Sequence, residues 1–174
     1  MANMQALKTA CACKSNYNMN NNDILRRLRY TFDISDFQMI DLFASGGKEV
    51  TRAEISNWMK PEDDPEFQKL VDINLAAFLN GFINEKRGKK EGEQPKPEKS
   101  LNNNIILRKL KIALNYKDED ILDVLDLVKF RLSKSELSAF FRKPDHQHYR
   151  PLKDQILRNF LLGLQLKYRP DSGK

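Results

Sequence analysis

Cysteine is nearly absent from this chain. Its two copies, Cys11 and Cys13, both stand within the first 18 residues, so the rest of the chain has no thiol for a disulfide framework. Two ligands alone do not close a metal site, and no cofactor is expected. Glycine and proline are sparse, seven of each in 174 residues, which leans towards helices. No apolar run approaches the roughly 18 residues of a membrane span, so no membrane partner is expected and a cytoplasmic location is the default. The start also lacks the apolar core of roughly 7–15 residues that a secretory signal needs. Lys8 interrupts it, and stands where a lipoprotein site ahead of Cys11 would place an apolar residue. Residues 1–18 therefore read as a disordered extension, and Met19 is itself a candidate start because a repeated unit begins right after it.

What the chain has is a repeat. Shifting the sequence by 82 positions lays Asn20-Asn21-Asn22 on Asn102-Asn103-Asn104 and Ile24, Leu25, Arg26 and Leu28 on Ile106, Leu107, Arg108 and Leu110. The same offset, without a gap, matches Asp36 to Asp118, Glu54 to Glu136, Asp72 to Asp154, Phe78 to Phe160, Gly81 to Gly163 and Arg87 to Arg169. Of the 69 positions from Asn20 to Gly88, 19 are identical. The expected organisation is an extension (1–18), a first repeat (19–88), a charged linker with Pro95 and Pro97 (89–101), a second repeat (102–170) and a tail (171–174). Polar residues and prolines suit the linker to an extended, solvated tether.

Four helices are readable in each repeat. The first opens at the asparagines, which are good caps, and lines up Ile24, Leu25, Leu28 and Phe32, or Ile106, Leu107, Leu110 and Leu114, at helical spacing. The second opens at Ser35-Asp36-Phe37-Gln38, a capping-box spelling, and turns Met39, Ile40 and Phe43, or Ile121, Leu122 and Leu125, inward. Gly46-Gly47 ends it in the first repeat; Val128-Lys129 in the second predicts a different end. The third has the clearest start. In Thr51-Arg52-Ala53-Glu54 and Ser133-Lys134-Ser135-Glu136, a hydroxyl can cap the third amide while the glutamate reaches back to the cap amide. That structural task outweighs a catalytic one for Glu54 and Glu136. The fourth spans about Asp72 to Arg87 and Asp154 to Tyr168, with Gly81 and Gly163 inside it. Glycine there costs roughly 1 kcal/mol relative to alanine, so its presence in both copies predicts a close backbone approach.

The expected fold is therefore all-α: two tandem four-helix repeats packed with pseudo-twofold symmetry. A unit of about 70 residues is marginal alone, which favours a shared interface. The first repeat carries 9 basic and 12 acidic residues and the second 14 and 8, hence −3 and +6, and opposite signs favour docking at low salt.

The stretches NNDILRRLRYTFDISD, EVTRAEISNWMKPEDDPEF and LAAFLNGFI, with their second copies, resemble the YehS-like bacterial family of domain-of-unknown-function proteins. The resemblance covers Met19 to about Pro170. It implies a small bacterial protein with a duplicated helical module, and it brings no activity, substrate or catalytic residue. The second repeat departs most from the pattern at DLVKFRL and PDHQHYRP.

No catalytic set is present. His146 and His148, the only histidines, flank Gln147 and could hold a metal with Asp145, but the matching first-repeat positions are Asp64 and Glu66, so a polar loop is the expectation. The run Glu62-Asp63-Asp64 with Glu66 lacks the ordered spacing of a calcium loop. Neither a glycine-rich nucleophile turn nor a phosphate-binding G-x-x-x-x-G-K loop occurs. The sequence is accordingly expected to encode a non-catalytic binding module that recognises another protein or itself. The alternative is nucleic-acid binding through a helix-turn-helix-like pair made by the second and third helices. Its contacts would be Arg52 and Lys60, or Lys134, Arg142 and Lys143, with Arg26, Arg27 and Arg29 and Arg108, Lys109 and Lys111 from the first helices. Against it stand a connection longer than the usual three or four residues and the acidic first repeat.

Overall fold

A computed structural model describes residues 18–173. The predicted extension at 1–18 lies, save for Asn18, outside the described residues. Eight α-helices follow one another: α1 (Asn21–Thr31), α2 (Asp36–Ser45), α3 (Arg52–Met59), α4 (Asp72–Arg87), α5 (Asn103–Ala113), α6 (Asp118–Leu127), α7 (Lys134–Phe140) and α8 (Asp154–Tyr168). A short 3-10 turn, Pro170–Gly173, closes the chain. The described residues contain no strand.

Each expected start signal forms as an actual cap. Asn20 and Asn102 accept from the amides of Asp23 and Ile105. Thr51 Oγ1 accepts from the Glu54 amide while Glu54 Oε2 accepts from the Thr51 amide at 2.7 Å, and Ser133 and Glu136 repeat both bonds. The Glu136 carboxyl sits below its ordinary pKa because the Ser133 amide, and then the Ser133 hydroxyl, bind its charged form.

One expectation is corrected. The ends of α2 and α6 do not differ: both helices stop at the same repeat position, and Lys129 adopts a left-handed φ of 57° where Gly47 has 94°. The turn is thus imposed by the surrounding packing, and lysine accepts the steric cost of that region. The linker is helix-free and most of its residues are exposed, yet it touches the body of the protein at two points. The Pro95 carbonyl accepts from Asn80 Nδ2 at 3.4 Å, and Glu98 pairs with Lys109 at 2.9 Å, which lays this segment along the seam between the repeats.

The repeats share one apolar core, running from Ile24, Leu28 and Phe43 through Phe78 and Phe82 to Leu107, Leu137 and Phe160. Across the seam α1 packs on α8 and α5 on α4. The 82-residue shift exchanges these two contacts, which makes the interface isologous. Two carboxylates close it in matching fashion. Asp72 Oδ1 accepts from Asn21 Nδ2 within its repeat and Oδ2 from the amide of Leu101, the linker residue that leads into the second repeat. Asp154 does the same with Asn103 and the Met19 amide. Opposite net charge contributes little by comparison: Arg169 reaches Asp33 across the seam at 3.8 Å, with that carboxylate largely in solvent.

Candidate functional site

Three surfaces have enough chemistry to consider: the basic residues predicted to meet nucleic acid, a groove in the first repeat, and two matching clefts beside α1 and α5.

The predicted basic trio of the first helix does not form one face. Arg26 donates to the Lys60 carbonyl and to Asp23, both at 2.8 Å. Arg29 binds Asp36 and the Ile34 carbonyl. Arg27 points the other way, into the seam, where burial lowers its pKa; Asp23 opposes that shift and nearby Arg158 of α8 adds to it. Lys109, the repeat equivalent of Arg27, is corrected outright. It is only 9% exposed, held by Asn80 Oδ1 at 2.5 Å and Glu98 Oε1 at 2.9 Å, and therefore has no free ammonium to offer a phosphate. Lys60 pairs with Glu66, Lys111 with Asp118 at 2.6 Å, and Lys134 with Glu119 at 3.0 Å. Arg52 binds Asp36 at 2.8 Å, and Asp36 sits below the usual carboxylate range because Arg52, then Arg29, hydrogen-bond it. Arg108 donates to the Phe141 carbonyl. Arg142 is half-buried and Lys143 exposed at the end of α7. Six residues, Gly46 to Thr51, separate α2 from the eight-residue α3, a longer connection than a helix-turn-helix uses.

The rings of His146 and His148 lie 5.6 Å apart at a tilt of 45° in an exposed loop, and the His146 Nδ1 accepts from the His148 amide. Among the described residues no three His, Cys, Asp or Glu side chains converge as metal ligands.

The groove lies between α2 and α4. These helices run antiparallel at backbone contact: a Cβ on Gly81 would stand 1.7 Å from the Leu42 carbonyl oxygen, and one on Gly46 would stand 1.7 Å from that of Ala77. Beside this crossing a cavity of about 320 Å³ opens over Phe32, Leu42 and Phe82, rimmed by Asp41, Glu85 and Lys86. Phe37, 75% exposed, lies one turn before Asp41 on the same helix face. The second repeat is built differently at these positions. Ile34 and Lys86 become Tyr116 and Tyr168, whose hydroxyls are hydrogen-bonded at 2.7 Å, and Phe37 becomes Glu119, paired with Lys134. Burial, then its bond to Tyr116, pushes the Tyr168 phenol up to about 12. Tyr168 also packs on Phe32, ring centroids 4.9 Å apart, tying the end of α8 to the first repeat.

The two clefts follow the repeat. One is lined by Arg26, Arg29, Tyr30 and Asp33 with Arg169 from the far repeat. The other is lined by Arg108, Lys111, Ile112 and Asn115 with Arg87 from the far repeat. Sequence reasoning missed both clefts. Only the match of Arg87 to Arg169, at the very end of the repeat, signalled that a basic residue belongs there.

Comparison with known proteins agrees with this duplicated architecture. The profile of a family described as protein of unknown function, DUF1456, matches twice, at residues 21–88 and 103–170. The chain is 43% identical over 156 residues to the uncharacterized protein YehS of Escherichia coli (strain K12), covering 89% of this chain and 100% of that protein. No solved structure matches.

Proposed function

From the premise that this chain belongs to the DUF1456 family of proteins of unknown function, we infer that it is a non-catalytic binding module whose first repeat receives an apolar segment of another protein or of a second copy. The α2–α4 groove carries this reading. One scaffold occurs twice in the chain; one copy carries a hydrogen-bonded tyrosine pair at the groove positions, and the other has Ile34 and Lys86 there, lining an open groove beside an exposed Phe37. An apolar floor with a charged rim is the anatomy of a small protein-recognition pocket. Of the residues considered for nucleic-acid binding, most already satisfy a carboxylate or a carbonyl within the chain, which weakens that alternative. No helix among the described residues is long and apolar enough to cross a membrane, and action in the cytoplasm belongs to the same proposal.

The test uses the second repeat as a template. Ile34→Tyr with Lys86→Tyr should plug the groove. Tagged full-length chain is incubated with nuclease-treated and untreated lysate of its native host, and its self-association is followed by sedimentation. A partner, or a dimer, that survives nuclease and is lost in the plugged variant supports the reading. Partners lost with nuclease and indifferent to the plug would overturn it in favour of nucleic acid.

A further inference from the structure

The two clefts are built from the same repeat positions but differ in electrostatic balance. In the first, every cation meets a carboxylate of its own chain: Arg26 meets Asp23 at 2.8 Å, Arg29 meets Asp36, and Arg169 approaches Asp33 at 3.8 Å. In the second, two of those three carboxylates are gone. Ile105 replaces Asp23 and Asn115 replaces Asp33, while Asp118 alone remains, bound to Lys111. Among the described residues, Arg87 and Arg108 form no ion pair. Two guanidinium groups and an ammonium therefore share a cleft of about 380 Å³ with a single carboxylate beside them.

The fold does not force this loss. Asn115 has a φ of 54° and Asp33 one of 52°, so aspartate is accommodated at the same turn. Asp23 also completes the capping box of α1 by accepting from the Asn20 amide, and an aspartate at 105 could serve Asn102 in the same way. The unbalanced charge is thus a property of the cleft rather than a requirement of the helices that make it.

Guanidinium forks match the spacing of oxygens on a tetrahedral oxyanion, and clustered cations that outnumber the carboxylates beside them are relieved by an external anion; Arg108 gives one donor to the Phe141 carbonyl, but no carboxylate neutralises its charge. Part of the remaining wall is apolar. Ile112 is 47% exposed, and Phe141 lies with Lys111 Nζ 4.3 Å from its ring centroid. We propose that this second cleft is a binding site for a phosphate-bearing small ligand, with Arg87 and Arg108 holding the phosphate and Ile112 and Phe141 receiving a flat or apolar group attached to it. The site is separate from the α2–α4 groove and stands whether or not that groove binds a protein. It also gives the seam a part in binding, because Arg87 comes from the first repeat and Arg108 from the second.

Phenyl phosphate, inorganic phosphate and a single-stranded oligonucleotide are titrated into the full chain at low salt, by calorimetry and phosphorus NMR. Phenyl phosphate should bind, and more tightly than inorganic phosphate. The double variant Ile105→Asp/Asn115→Asp, which restores the first cleft's carboxylates, should weaken it by about tenfold or more, the scale of a lost charge-assisted hydrogen bond, with the melting temperature retained. Arg87→Gln at an exposed helix end provides a second variant and should give the same loss. Phenyl phosphate binding that is undiminished in Arg87→Gln would overturn the proposal. So would failure of phenyl phosphate to bind while the oligonucleotide does, since the phosphates would then be read as a backbone and the apolar wall would have no role.

Discussion

Gly81 stands so close to Leu42 that an added Cβ would lie 1.7 Å from the Leu42 carbonyl oxygen. Neither partner can yield cheaply, since one is a helix backbone and the other the carbonyl of a second helix. At Gly163 the nearest atoms are the Val124 carbonyl oxygen at 2.3 Å and the Val124 side chain at 2.7 Å. Alanine, which raises helix propensity at an exposed glycine, should therefore destabilise at both positions. Gly81→Ala is expected to cost about 3 kcal/mol or more and Gly163→Ala about 1–3 kcal/mol, the range of overpacking in a filled core. Thermal melts of the two variants check the order as well as the sign, and a rise in melting temperature for Gly81→Ala would disprove the close crossing.

The capping boxes give a milder test. Thr51→Ala and Ser133→Ala each leave the first amides of α3 or α7 without their side-chain acceptor. Each should lower stability by about 0.5–2 kcal/mol and leave any binding untouched. Denaturant titration reads this directly, and unchanged midpoints in both variants would mean that the caps do not hold these short helices.

The asparagine run shows what was and was not legible in the sequence. Local chemistry was readable: Asn20 and Asn102 cap because a short amide beside a periodic apolar stripe has few other tasks. The neighbours serve contacts distant in sequence, which spacing cannot reveal. Asn22 is fully buried; its Nδ2 donates to the Trp58 and Gln68 carbonyls and its Oδ1 accepts from the Leu70 amide. Asn104 repeats all three bonds. Their identity across the repeat was visible, and their role was not. The groove and the clefts were illegible for a related reason. Each depends on which side chain fills a given position, Tyr168 against Lys86 or Asn115 against Asp33, and the helical pattern is indifferent to that choice.

Lys109 is expected to act as a structural lysine. Its ammonium joins Asn80 on α4 to Glu98 on the linker, so removing it strands two polar partners at the seam. Lys109→Ala should cost about 1–3 kcal/mol, the range for an unsatisfied buried polar group. Lys109→Met, which keeps the stem, should recover part of the loss. Hydrogen exchange of the Leu101 amide, which Asp72 Oδ2 accepts at the end of the linker, should rise in both variants; protection equal to wild type would separate the linker from the lysine.

The matching carboxylates of the seam should behave alike. Asp72→Ala removes acceptors for Asn21 and for the Leu101 amide, and Asp154→Ala does so for Asn103 and the Met19 amide. Each variant is expected to lose about 1–3 kcal/mol, with the two repeats still melting together because the apolar core is continuous. Calorimetry that resolved two transitions in either variant would show that these bonds, rather than the core, couple the repeats.

The tyrosine pair makes stability fall at high pH. Burial raises both phenols, Tyr168 to about 12, where its bond to Tyr116 adds to the shift and Lys167 opposes it. An unfolded chain releases a phenol proton near its ordinary pKa of about 10, whereas the folded protein retains it to higher pH. The folded state thus binds more protons in this window, and stability must decline as pH rises. The pair's contribution is complete below the ordinary phenol value and is lost as pH climbs through the folded one, so the window runs from about 10 to about 12. Because the two hydroxyls share one hydrogen bond, they should titrate as a coupled pair with a late step belonging to both. Tyr168→Phe removes one member and the bond, so the phenolate absorbance curve should lose its late step and denaturant midpoints should fall less steeply with pH across that window. Superimposable phenolate curves for wild type and Tyr168→Phe, after allowance for one missing tyrosine, would show that the pair does not hold its protons in the folded state.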